Sequence, residues 1–255
     1  MNDARLWIRQ VRAEQRSLWR NPASAFFTLV LPLVFLVIFA SLFRASRVTE
    51  LGNIAFDQYY VPALAAFGVM GATFTNLAIT ISMRRDSGAL KRLRATPLPR
   101  WVFFAGLIGS AILVSLLMVV LTTAVGVLLY GLQFSGHYGA AVLVLVVGAL
   151  CFSALGIALT TVIPNADAAP AVVNGIFLPL VMISGTFFPI ESAPTFIQRI
   201  ADVFPIRHFT RAVVEVYNPR ATAAVPGGDL LVLLAWAALA IVVALRRFRW
   251  EPPRS

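Results

Sequence analysis

Sixty-six consecutive residues, Trp101–Ala166, contain no Asp, Glu, Lys or Arg. Crossing the hydrocarbon core of a bilayer takes about 20 predominantly apolar residues in a helix. The run therefore holds two crossings and a turn. The turn reads Gly131-Leu132-Gln133-Phe134-Ser135-Gly136-His137-Tyr138-Gly139, rich in turn formers and polar groups. Continuously apolar runs, as opposed to alternating ones, point to helices and against a closed barrel. Hydrophobic residues make up 59% of the chain and charged ones 13%, where soluble domains carry roughly 25% charged residues.

Charges mark out the remaining spans. The pattern predicts an all-α polytopic membrane protein with six transmembrane helices near 23–43, 59–83, 101–130, 139–163, 168–190 and 229–246, in one domain over residues 1–255. Basic residues set the direction. Arg5, Arg9, Arg12, Arg16 and Arg20 precede the first span, Arg84, Arg85, Lys91, Arg92, Arg94 and Arg100 follow the second, and Arg246, Arg247, Arg249 and Arg254 follow the last. Against the acids Asp3, Glu14, Asp86, Asp167 and Glu251, that face carries the whole formal excess of +10. On the other face Arg44, Arg47, Arg199, Arg207, Arg211 and Arg220 are balanced by Glu50, Asp57, Glu191, Asp202, Glu215 and Asp229. Both termini are therefore expected in the cytoplasm. Basic residues that hug span ends serve topology, so the pI near 11.1 does not indicate nucleic-acid binding. The single Cys151 lies in an apolar run and reads as a buried thiol, and no Cys/His cluster has metal-ligand spacing. No signal-peptide cleavage site is evident after the first apolar run.

Residues 1–20 read as an interfacial helix in contact with membrane lipids. At about 100° per residue, Ala4, Trp7, Ile8, Val11, Leu18 and Trp19 share one side and the arginines the other. Within Arg84–Arg100, Ser87 is the expected cap of a short helix that Pro97 stops, with Ala89, Leu90 and Leu93 on one face. A basic helix with an apolar ridge fits a groove on another protein. A solvated loop whose charge only enforces topology fits the same residues.

The stretch Gly88–Pro99 resembles the intracellular loop of ABC-2 type permeases, the membrane halves of one class of ATP-binding-cassette exporters. Asn21-Pro22 followed by Phe26–Phe43 with Pro32 inside it is similar to the opening of that family. Ser184-Gly185-Thr186-Phe187-Phe188-Pro189 resembles the end of its fifth span, and Ile197–Phe204 with Pro205 and Arg211 resembles its external re-entrant segment. The drug-resistance branch, the daunorubicin-exporter permeases, is the most similar. The resemblance implies a plasma-membrane permease with two copies of a separate cytoplasmic ATPase subunit and a second permease copy or sister permease. ATP and Mg would be bound by that partner and no cofactor by this chain. Gly88, Ala89, Leu90, Lys91, Arg92, Leu93 and Arg94 would then couple the two subunits. The sequence has no Gly-x-x-x-x-Gly-Lys-Ser/Thr loop to cradle phosphates, so the chain is not expected to be an enzyme.

Between Glu191 and Asp229, Phe196, Ile197, Ile200, Ala201 and Phe204 form an apolar stripe that fits a hairpin dipping into the outer leaflet. In the permease reading, Phe196, Ile197, Ile200 and Phe204 act as an external gate. Otherwise they cap the interface. Mid-depth ionisable groups are missing from the spans, which argues against a proton relay. The polar candidates there are Thr73, Thr75, Asn76, Thr80 and Asn174, residue types that commonly tie helices together. With Asn76 and Asn174, the side chains Phe67, Met70, Phe74, Phe177 and Met182 can line a path for a hydrophobic or amphipathic substrate. Pro170, Gly175 and Pro179 interrupt the fifth span. His137 and His208 have no hydrolase-type constellation nearby. The alternatives are a scaffold subunit that transports nothing, a permease for a glycan or lipid-linked polysaccharide, and a lipid-modifying enzyme, for which no clustered catalytic groups are evident.

Overall fold

The computed structural model describes residues 3–48, 53–96, 98–187, 189–190, 193–219, 225–248 and 250, the side chains at 24 and 94 excepted. Pro97, Phe188, the charges expected at Glu50, Glu191, Arg220, Arg249, Glu251 and Arg254, and the Arg94 side chain lie outside the described residues. Among the described residues, regular structure is helical apart from a two-residue antiparallel ladder that the sequence does not announce, β1 (Arg47–Val48) against β2 (Ile54–Ala55).

Helix α1 (Asp3–Trp19) leads into α2 (Pro22–Ala25), a π turn over Phe26–Val30, and α3 (Leu31–Leu42). Pro32 explains the π turn. It has no N–H to donate and its ring crowds the carbonyl four residues back, so the ladder widens just before it. The Leu31 N–H accordingly bonds Phe26 O, five residues away. The next helix is continuous for 31 residues, Phe56–Asp86. It comprises α4 (Phe56–Met70), a second π turn over Gly71–Thr75, and α5 (Asn76–Asp86). After the short α6 (Ala89–Arg94) come α7 (Arg100–Tyr130) and α8 (Tyr138–Leu159). α9 (Ala169–Met182), α10 (Thr195–Ala201), α11 (Pro205–Tyr217) and α12 (Gly227–Arg247) complete the chain.

Among the described residues, four helices are long and apolar enough to cross a bilayer: Phe56–Asp86, Arg100–Tyr130, Tyr138–Leu159 and Gly227–Arg247. Phe26–Leu42 and Ala169–Met182 are shorter apolar helices. The expected fifth span, 168–190, ends early as a helix, leaving helical geometry at Ile183 (φ −92°, ψ 2°) and turning away at Gly185, at φ 84°. The α7–α8 turn lies where the sequence places it. Gly131, at φ 68°, receives the end of α7, its N–H bonding Val127 O at 3.2 Å while Leu132 N–H bonds Gly126 O at 3.1 Å.

α4 is the axis of the bundle. Tyr60, Val61, Leu64 and Met70 are fully enclosed, and α3, α7, α8 and α11 pack around it. α8 crosses the second π turn at Gly156, where a Cβ would stand 2.7 Å from Phe74 O and 3.2 Å from Phe74 Cα. Hydrogen at that position lets the two backbones approach, the usual service of small residues between membrane helices.

At the end of the bundle that carries α1 and α6, polar side chains do the joining. Arg84 donates both terminal nitrogens to Glu14, at 2.7 and 2.6 Å, and Gln10 Nε2 bonds the same carboxylate at 2.7 Å. Trp7 Nε1–H bonds Ala105 O at 2.9 Å and Gln15 reaches Ser110 O and Oγ at 3.0 and 2.9 Å. The interfacial reading of α1 is thereby modified. Trp7, Gln10 and Val11 seat against Gly106 and Gly109 of α7, whereas Ala4, Ile8 and Trp19 remain exposed. The glycines remove side chains that would hold α1 off, so its polar edge packs as well as its apolar one.

Arg84 and Arg85, counted among the basic residues that set the orientation, also tie helices together. Arg85 is 3% exposed and donates to Thr160 O at 2.7 Å and Ile163 O at 2.6 Å. These carbonyls lie at and just beyond the C-terminus of α8, where helical partners run out and a cation is favoured. Asp86 accepts from the Ala166 N–H.

Gly156→Ala is expected to lower the thermal unfolding midpoint in detergent, at a cost of about 1–3 kcal/mol, because backbone must move to admit the methyl. Gly175→Ala, whose Cβ meets nothing within 4 Å, is expected to match the parent. Arg85→Leu leaves two helix-end carbonyls without donors and should cost about 2–4 kcal/mol, read as loss of monodisperse protein on heating. Lys91→Gln, on the exposed surface, is the control.

Candidate functional site

The loop between α5 and α7 forms the short helix the sequence suggests, with different end chemistry. Ser87 makes no side-chain cap. Its hydroxyl turns back to Arg84 O at 3.3 Å. The reversal is carried by Gly88, at φ 69°, where a Cβ would be strained. Thr96 Oγ1–H closes the far end on Leu93 O at 2.7 Å.

The expected apolar ridge of α6 faces the protein itself. Leu90 is 1% exposed and packs with Leu77, Ile81, Phe103, Leu107 and Ile157, and Leu93 lies half-buried against the same cluster. Gly88 and Ala89 are half-buried, while Lys91 and Arg92 point outward. The ridge therefore anchors α6 to the bundle, and its cationic side is what another protein would meet. Periodicity finds the face of a short helix but not what that face touches.

The residues proposed for a path do not converge. Phe67 stacks on Phe177 with ring centroids 5.8 Å apart and meets Phe187 at 5.6 Å, and Phe74 meets Phe177 at 5.8 Å. With Met70 fully buried, this group forms packing between α4, the second π turn and α9. Asn174 and Met182 lie on the exposed side of α9. Asn76 belongs to neither set and lines a cleft between α1, α5 and α7. Of the remaining polar candidates, Thr73 bonds Val69 O at 2.7 Å and Thr80 bonds Asn76 Oδ1 at 3.1 Å. The buried Thr75 hydroxyl has no partner among the described residues.

At the opposite end, α10 and α11 form a helical hairpin. The turn between them reaches inward along α12: Trp236 Nε1–H bonds Val203 O at 3.0 Å and its ring stacks on Phe204 at 6.2 Å. Trp236 is about seven residues, or ~10 Å, beyond Asp229 along that helix. Of the gate candidates, Phe196 and Ile200 are 63% and 48% exposed, and Ile197 and Phe204 are half-buried. α11 is the enclosed member, with Phe209 filling the space left by Gly148 and packing on Phe152 at 5.5 Å.

A charged cluster that sequence reading missed fastens the hairpin. Asp229, 4% exposed, meets His208 Nδ1 at 2.6 Å and Arg211 Nε at 3.0 Å. His208 Nε2–H donates to the Asp202 carbonyl at 2.8 Å, and Arg207 bridges Asp202 Oδ1 at 3.2 Å and Gln198 O at 2.9 Å. Hydrogen bonding to Asp229 holds the Arg211 guanidinium above its ordinary range, and burial, with Asp229 nearby, raises the Glu215 carboxyl. Of the charges counted as balancing on this face, Arg207 pairs with Asp202 and Arg211 with Asp229. The signal available in the sequence was the closeness of Arg207, His208 and Arg211 in one short helix, whereas Asp202 and Asp229 come from outside it.

Comparison with known proteins places this architecture. Residues 6–218, from α1 to the end of α11, match the family model of the ABC-2 type transporter. YbhR of Escherichia coli K12, named a probable multidrug ABC transporter permease, is 26% identical over 201 residues, covering 77% of this chain and 54% of YbhR. The chain thus spans about half the length of that relative. YvfS of Bacillus subtilis, named a putative transport permease, is 24% identical over 243 residues, covering 92% of this chain and 94% of YvfS. YadH of Escherichia coli K12, named an inner membrane transport permease, is 26% identical over 201 residues, covering 75% and 77%. The match through most of the chain, on a multi-pass helical bundle, makes this protein a member of the ABC-2 type transporter family.

Proposed function

We propose that this chain is the permease subunit of an ATP-driven exporter that moves a hydrophobic or amphipathic drug or lipid-like molecule out of the cytoplasm by alternating access. The observation that carries the reading is the family match over residues 6–218, which includes α6 at one end of the bundle and the α10–α11 hairpin at the other. In this reading residues 1–255 form one plasma-membrane domain. Four crossings are the long helices, and Phe26–Leu42 and Ala169–Met182 supply the fifth and sixth with neighbouring non-helical residues. The basic end faces the cytoplasm. Two copies, or one copy with a sister permease, enclose the path, and two ATPase subunits that bind ATP and Mg drive it. The α10–α11 hairpin is the external gate.

Gly88–Arg94 is the proposed coupling element. Leu90 and Leu93 hold α6 to α5 and α7, so a push on Lys91 and Arg92 moves the ends of two long helices together. Burial of Leu90 also means that an acidic substitution there tests the fold rather than docking. Lys91 and Arg92 are the informative positions.

Single cysteines at Arg47, Ser135 and Pro219 should react with an impermeant maleimide from outside intact cells, and those at Lys91 and Asn165 only after permeabilisation. Outside labelling at Lys91 would overturn the orientation. Isolation from native membranes should recover a nucleotide-binding subunit. The double substitution Lys91→Glu/Arg92→Glu should weaken its association about tenfold or more, through loss of charge complementarity at an exposed rim. Membrane level and labelling pattern serve as controls. Unchanged association would leave this loop as a topology signal only.

A further inference from the structure

A cleft of about 440 Å³ opens between α1, α5 and α7 at the basic end. It runs from the Glu14–Arg84 pair to Asn76. Asn76 stands about ten residues, or ~15 Å, inside the end of α5 at Asp86. Leu18, Leu77, Leu107 and Val114 supply its apolar wall.

Three features define what the cleft can hold. First, it offers no free charge. Its acid Glu14 and its cation Arg84 are tied to each other through two hydrogen bonds, at 2.7 and 2.6 Å. Second, its polar groups have unused capacity. The Asn76 carbonyl oxygen accepts from Thr80 Oγ1–H at 3.1 Å, which leaves the Asn76 amide N–H groups without a partner among the described residues and the Thr80 oxygen free to accept. Ser110 Oγ accepts from Gln15 at 2.9 Å and keeps its own hydrogen to donate. Third, Asn76 is half-buried and lines the cleft, so a ligand seated there reaches its amide directly, and shielding that amide from water without a partner would be costly.

From this we propose that the cleft binds an uncharged amphiphile bearing hydroxyl or carbonyl groups, its polar atoms on Asn76, Thr80 and Ser110 and its chain along the apolar wall, as the cytoplasmic loading site of the permease. The loading role rests on the exporter reading; the binding does not. An anionic head would need a cation that Arg84 cannot offer while it is bound to Glu14, and a cationic head would need the same carboxylate. A hydroxylated or carbonyl head satisfies both the donors and the acceptors present without disturbing that pair.

The test uses the full chain in lipid nanodiscs with three photoactivatable probes that share one alkyl chain: a glucoside, a sulfate and a trimethylammonium. The glucoside should label peptides of α1, α5 and α7 saturably, at least about fivefold more than either charged probe. Asn76→Leu should reduce that labelling by about fivefold, the effect of removing one buried hydrogen-bonding partner. As a second readout that leaves Asn76, Thr80 and Ser110 in place, a cysteine at Ser17, an exposed residue of the cleft wall, should lose maleimide reactivity when glucoside is present, Cys151 being fully buried. Equal labelling by all three heads, insensitivity to Asn76→Leu together with unprotected Ser17→Cys, or spontaneous Asn76→Cys cross-links between copies would overturn the site. The cross-link would mean that a second chain satisfies the amide. Failure to recover an ATPase would sink the exporter reading and leave the labelling result standing.

Discussion

Backbone carbonyl groups at helix ends and in broken helices are the constraint around which this structure is organised. Side-chain donors answer them one by one. Arg85 closes Thr160 and Ile163, Trp236 closes Val203, Arg207 closes Gln198 and His208 closes Asp202. The Tyr59 hydroxyl does the same for Gly185, where the fifth apolar segment leaves helical geometry. Each donor belongs to a different element from its acceptor or to a different turn of the hairpin. Satisfying local backbone chemistry therefore also sets which helices lie side by side.

The two π turns fit the same logic. Widening the ladder before Pro32 accommodates a residue that cannot donate. The turn at Gly71–Thr75 presents Phe74 to the bare backbone of Gly156. The second turn lies midway along the helix that joins the two ends of the bundle. One end of that helix carries Arg84, Arg85 and, through Gly88, α6. The other carries Gln58, which donates to Gln133 O at 2.5 Å, and Tyr59. In the proposed exporter, this single helix connects the ATPase-facing surface to the external hairpin without an intervening loop.

Membrane residence, the helical class, the position of the α7–α8 turn and the order of elements were legible in the sequence, because they depend on local runs. Apolar length, charge placement and turn residues act within a few tens of residues, and the bilayer enforces them regardless of which helices later touch. The existence of α6 and of the α10–α11 hairpin was legible for the same reason. Less legible were the helix ends at Leu159 and Met182. There the apolar pattern continues while the backbone turns away, helped by donors from distant segments.

By itself, then, the sequence determined the solvent, the class of fold and the family. Tertiary structure decided what the polar residues are for. Arg84 and Arg85 read only through their charge, and in the structure one pairs with Glu14 while the other bonds the carbonyls at the end of α8. His208 read only as lacking a hydrolase-type constellation, and it meets Asp229 across 21 residues. Leu90 read as a docking ridge and is an internal anchor. Asn76 read as one of several path residues and stands apart from the aromatic group in its own cleft. The physical reason is range: burial of apolar runs follows from composition along the chain, whereas a hydrogen bond or ion pair needs its partner within about 3 Å, and only packing brings such partners together.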